Sequence, residues 1–61
     1  MFYVIYDPTN KVYLDENYNW TTFDKAEQHK EPSPTILSNA KLYVKNWDAR
    51  WVGPCRVGEE P

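Results

Sequence analysis

Cys55 and His29 are the only cysteine and the only histidine in a chain of 61 residues. This limits what the chain can fold into more than any other feature. A domain of this size buries only about 60% of the surface its unfolded form exposes, and small domains commonly add disulfides, a metal or oligomerisation to a thin core. An internal disulfide is impossible with one cysteine. A structural metal is disfavoured because no cluster of Cys or His exists. A dense aromatic core or self-association remains.

Aromatic residues run through the whole chain, from Phe2, Tyr3 and Tyr6 to Tyr43, Trp47 and Trp51. Each ring buries roughly 150–250 Å² when packed, so a few suffice for a core, and one ordered domain spanning residues 1–61 is expected. The net charge is −2, with acids and bases interspersed. No basic stripe is present to displace counterions from a phosphate backbone, which disfavours nucleic acid as a partner. The charge is also too small for a DNA mimic. No apolar run approaches the ~20 residues of a membrane span. The start, Met-Phe-Tyr-Val-Ile, is unlike a signal peptide. A cytoplasmic location is therefore expected, and a single unpaired cysteine agrees with it.

The first strand is predicted over Phe2–Tyr6, a run of aromatic and β-branched residues. Asp7-Pro8-Thr9-Asn10 is a turn sequence, and a second strand is expected over Lys11–Asp15. A three-residue loop, Pro8–Asn10 with Asn10 left-handed, sets the expected register. It puts Phe2, Val4, Tyr6, Val12 and Leu14 on a core face. Tyr3, Ile5 and Tyr13 then share the other face with Lys11 and Asp15. A slip of one residue would exchange part of this set.

Glu16–Asn19 reads as a turn before Trp20-Thr21-Thr22-Phe23. Residues Asp24–Gln28 fit a short helix capped by Thr22, a short strand or an irregular segment. Glu31-Pro32-Ser33-Pro34 breaks the chain, and Ser33 and Pro34 are then a helix N-cap and first residue. From Pro34 to Trp47, the residues Ile36, Leu37, Ala40, Tyr43, Val44 and Trp47 share one helical face. Leu42 lies on the polar side. Arg50–Val57 reads as a last strand, where Pro54 requires an edge position or a bulge. Residues Gly58–Pro61 are expected to fray. The fold class is therefore α+β: a small antiparallel sheet built on an N-terminal β-hairpin with a C-terminal strand, covered by one amphipathic helix.

Catalytic chemistry has little to work with. Cys55 and His29 would have to meet within hydrogen-bond reach to form a nucleophilic pair. A buried structural Cys55 and a solvated His29 are the plainer expectation. The carboxylate pairs Asp15/Glu16 and Asp24/Glu27 fit solvated turns better than a cleft, and they lack the spacing of a cation loop. No phosphate-binding glycine motif occurs, since the glycines are Gly53 and Gly58. No cofactor, metal or enzymatic activity is expected. Tyr3 and Tyr13 could stack bases, but Lys11 is the only basic residue near them.

A protein partner suits the second hairpin face better. Tyr3, Ile5 and Tyr13 would form an apolar patch unless Trp20, Phe23 or the last strand covers them, and Tyr and Trp are frequent interface anchors. Tyr18 and Leu42 are further partner-binding candidates. Pairing of sheet edges or faces would instead give a homo-oligomer with a structural role.

The order of these signals resembles that of short orphan proteins encoded in the accessory regions of tailed bacteriophage genomes. The resemblance rests on Phe2-Tyr3-Val4-Ile5-Tyr6, Lys11-Val12-Tyr13-Leu14, Trp20-Thr21 and Asp24-Lys25-Ala26. A single helix and a last strand complete it. It carries over no catalytic residue. It implies a small binding protein that inhibits or modulates a host enzyme or defence complex.

Overall fold

A computed structural model describes residues 1–61. Four strands form one antiparallel sheet: β1 (Phe2–Asp7), β2 (Val12–Leu14), β3 (Trp20–Thr21) and β4 (Arg50–Cys55). Their order is β3-β2-β1-β4, so the N-terminal strand is central and pairs with the C-terminal strand. A 3-10 turn covers Phe23–Lys25 and one helix, α1, covers Pro34–Val44. The expected α+β architecture, a hairpin-based sheet with a C-terminal strand and one helix, is what the chain adopts.

The hairpin register differs from the expected one. Tyr6 lies opposite Tyr13 and Asp7 opposite Val12, so the loop is Pro8–Lys11 and the left-handed residue is Lys11, at φ 56°. The cause is the buried Asp7 side chain. Its Oδ1 accepts from the Thr9 and Asn10 N–H groups at 2.9 and 3.3 Å, and its Oδ2 accepts from the Asn10 side-chain amide at 2.9 Å. Asn10 is thus held by its own amide, and the chain reverses one residue later through a Lys11 N–H to Asp7 C=O bond of 2.8 Å.

One residue of register moves β2 over to the opposite face. Phe2, Val4 and Tyr13 pack with Phe23, Ala26 and Cys55 on one side of the sheet, flanked by Tyr6 and Val52. Ile5 and Leu14 pack with Ala40 and Ala49 on the other, flanked by Trp20, Leu37, Val44 and Trp51. Phe2, Val4 and Tyr6 share a side as expected, but α1 covers the Ile5 side that was expected to be open, and Tyr13 and Leu14 have exchanged places. Both sides of the sheet are therefore core. Rings dominate the first cluster, where Tyr13 lies 4.8 Å from Tyr6 and 5.3 Å from Phe23 between centroids.

Helix α1 starts as expected. Ser33 Oγ accepts from the Ile36 N–H at 3.2 Å, and Pro34 occupies the first turn. The Ser33 carbonyl also accepts from the Trp51 indole at 2.9 Å, which ties the helix start to β4. The helix ends at Val44 instead of Trp47. Lys45 turns left-handed at φ 54°, and the Asn46 N–H returns to the Lys41 carbonyl at 3.2 Å. Buried Ala40 and half-buried Leu37 and Val44 face the sheet, so the helix is rolled away from the predicted stripe and Ile36 and Tyr43 are exposed.

Over Asp24–Gln28 the chain forms the end of a 3-10 turn and then an irregular stretch, and no strand. Thr22 precedes the 3-10 turn without a side-chain cap, its hydroxyl donating instead to the Asp24 carboxylate. Further on, His29 exchanges two backbone bonds with Tyr3, at 2.7 and 2.9 Å, and so prolongs the ladder beside β1. At the other edge, Phe2 pairs with Cys55 and Val4 with Val52, which leaves Gly53 and Pro54 opposite Tyr3 alone. Pro54 thus lies both on an edge strand and at a bulge. The tail does not simply fray: Glu59 pairs with Arg56, and the Tyr13 hydroxyl donates to Glu60 Oε2 at 3.3 Å.

Gly53, at φ 154°, packs under the Tyr3 ring, and a Cβ there would stand 2.5 Å from Tyr3 Cδ2 and 3.0 Å from the Phe2 carbonyl oxygen. Gly53→Ala should therefore destabilise the domain by about 1–3 kcal/mol, read as a lower urea midpoint with an unchanged slope. Burial alone would raise the Asp7 carboxyl. Hydrogen bonds from the Asn10 side chain, the Thr9 and Asn10 backbone and the Asn46 side chain outweigh it and hold the group below its ordinary 3.8. A carboxyl depressed by folding stabilises fully above its unfolded value, and the effect is lost as pH falls through 3.8 and below. Stability measured from pH 6 to pH 2 should show this acid limb in the wild type, and Asp7→Asn should flatten it.

Candidate functional site

The register separates the residues that the sequence grouped together. Ile5 and Tyr13 are each only 3% exposed and lie in different clusters on opposite faces of the sheet. Tyr3 is half-buried over Gly53 and beside His29. The Tyr3/Ile5/Tyr13 patch is thus covered, because Trp51, Ala40 and Leu37 pack on the Ile5 side and Phe23 on the Tyr13 side. The same separation dissolves the stacking platform of Tyr3 and Tyr13. Tyr18 and Leu42 remain exposed.

Around those two residues the fold assembles a different surface. The turn after β2 is built on Asp15, whose Oδ1 accepts from the N–H groups of Asn17 and Asn19 at 2.8 and 2.9 Å. Tyr18 adopts a left-handed conformation there, at φ 62°. Its ring meets Tyr43 of α1 at 4.4 Å between centroids, tilted by 31°. Both rings stay exposed, Tyr43 by 71%.

The outer side of α1 carries no charge. Pro34, Thr35, Ile36, Ser38, Asn39, Leu42 and Tyr43 are all exposed, and the single charged residue of the helix, Lys41, is half-buried. A surface helix ordinarily turns charged and polar residues to water. Here Leu42 and Tyr43 face it instead, and Trp47 in the next turn is 62% exposed. Depletion of charge with enrichment of Tyr and Trp is the compositional mark of an interface centre. Ile36, Tyr43 and Trp47 had been assigned to the core by helical periodicity. The scarcity of charge between Pro34 and Val44, where Lys41 is the one charged residue, is the signal readable in the sequence.

The titratable groups are arranged differently. Cys55 is buried in the first cluster, with its Sγ 3.6 Å from the Val52 carbonyl oxygen, and burial pushes its thiol up. His29 is half-buried and not solvated: it lies edge-on to Trp51 at 4.9 Å and 3.3 Å from the Glu27 carboxylate. Trp51 belongs to the second cluster, so thiol and imidazole are on different sides of the sheet. Asp15, Glu16 and Glu27 line an open depression of about 490 Å³ with Lys25. Asp15 is committed to its own turn. No group of three or more His, Cys, Asp or Glu side chains is placed to hold a metal ion, and no helix is long and apolar enough to cross a membrane.

No protein-family model matches the chain, and no curated protein or solved structure shows significant similarity to it. The surface formed by α1, Tyr18 and Trp47 therefore stands on its chemistry. If these side chains serve an interface and not the core, Leu42→Asp should change folding stability by no more than about 0.5 kcal/mol. Leu14→Ala, in the buried second cluster, should cost about 2–5 kcal/mol. Urea titration of the two variants beside the wild type measures both.

Proposed function

We propose that the chain is a protein-binding module whose contact surface is the outer side of α1 with Tyr18 and Trp47. The supporting observation is the seven exposed, uncharged positions of an 11-residue helix, continuous with the Tyr18–Tyr43 ring pair. Leaving Leu42, Tyr43 and Trp47 in water gives no stability to this chain alone. Buried in a partner, such side chains are typical hot spots.

The shape of this surface favours a concave partner over a second copy. A specific interface covers roughly 800 Å² per partner, close to a fifth of the 4369 Å² this molecule exposes. A helix of this length is about 16 Å long. Two such convex ridges would meet along a narrow strip. A groove would wrap the helix and reach Tyr18 and Trp47 as well, the helix-in-groove mode of recognition. The resemblance to phage accessory proteins supplies the direction of the effect: inhibition or modulation of a host enzyme or defence complex in the cytoplasm.

Capture from bacterial lysate tests the reading, with wild type compared against a Leu42→Asp/Tyr43→Ala variant of unchanged fold. A partner retained by the wild type and reduced about tenfold or more on the variant is expected. Equal retention would remove α1 from the interface. Light scattering over a concentration series separates the alternative: a mass that doubles with concentration in the wild type alone would make the partner a second copy.

A further inference from the structure

We propose that residues 56–61 form a strap that closes reversibly over the hydroxyl of Tyr13, a member of the aromatic cluster on the helix-free side of the sheet. That side holds Phe2, Tyr6, Tyr13 and Phe23, with ring contacts of 4.8 to 6.0 Å. Helix α1 packs on the opposite side, against Ile5 and Leu14. Cover for the ring cluster comes from the 3-10 segment, through Phe23 and Ala26, while the C-terminal residues reach only the Tyr13 hydroxyl.

The strap is a turn folded back on the domain. Arg56 and Glu59 close it through a Glu59 N–H to Arg56 C=O bond of 3.1 Å, and Gly58, at φ 77°, makes the reversal. This delivers Glu60, 47 positions from Tyr13 in sequence, to the phenol, which donates to it at 3.3 Å. Every residue from Arg56 to Pro61 is exposed, and the one large apolar side chain among them, Val57, is 78% exposed. The strap thus contributes nothing to either apolar cluster and is held by polar contacts open to water. Segments with few buried apolar contacts open locally without global unfolding. When this one opens, the Tyr13 hydroxyl loses its acceptor. Burial first and the Glu60 carboxylate second push the Tyr13 phenol up to about 12, and the part due to Glu60 follows closure.

Two measurements on the full chain test this. Amide exchange should give the Glu59 N–H a protection between that of the β1 amides and that of a free peptide. Glu60→Ala, which removes the acceptor, should abolish that protection, leave β1 exchange unchanged, and lower the phenol titration of Tyr13, followed by NMR, from about 12. Tyr13→Phe should release the Glu59 amide in the same way. Glu59 exchanging as slowly as β1 would make these residues an integral part of the fold. Unprotected Glu59 in the wild type, or a Glu60→Ala variant with unaltered Tyr13 titration, would overturn the strap.

Discussion

The Asp7 carboxylate determines the rest of this structure. By accepting from two backbone N–H groups and the Asn10 side chain, it fixes a four-residue loop and places Tyr13 opposite Tyr6. Side chains alternate across a strand, so that one choice decides which side of the sheet each residue of β2 joins. Tyr13 goes to the ring cluster with Phe23, and Leu14 goes beneath the helix. A three-residue loop would send each to the other side. It would leave a tyrosine beneath the helix and remove Tyr13 from its contacts with Tyr6 and Phe23.

A chain of 61 residues without a disulfide thereby covers a sheet on both sides. The solution is asymmetric. Aromatic rings and a short 3-10 segment fill one side, while small and branched residues under α1, flanked by Trp20 and Trp51, fill the other. At the helix the fit relies on Ala40, with Leu37 and Val44 on its flanks. Rolling the helix onto these three turns Ile36 and Tyr43 outward, and the left-handed Lys45 puts Trp47 into a turn. The thin core and the apolar outer surface have one origin. Large residues that the interior has no room for lie along a helix that also lacks charge.

Several elements could be read from the sequence because their causes are local. β1 announces itself by composition, Ser33-Pro34 by capping chemistry, and Pro54 by its missing donor. What could not be read depends on choices between near-equal local options. Asn10 and Lys11 can each take the left-handed position, and only the three bonds to Asp7 decide between them. Lys45 ends the helix without a glycine, so no residue type marked the boundary. His29 looked like a solvated residue among polar neighbours, yet its backbone completes the ladder beside Tyr3, a contact 26 positions away. The register removed Tyr13 from the Tyr3/Ile5/Tyr13 patch, and α1 with Trp51 covered Ile5. Tyr18 and Leu42 lie on the surface, and the helix roll and its early end add Tyr43 and Trp47 to them.

The face assignment of Tyr13 carries all of this, and ring-to-ring NOEs measure it directly in solution. With centroids 4.8 and 5.3 Å away, the Tyr13 ring protons should show strong cross-peaks to Tyr6 and Phe23, and none to the Ile5 methyl groups. Cross-peaks from Tyr13 to Ile5 and Tyr3, with Leu14 joining Tyr6, would contradict the register and return the hairpin to a three-residue loop.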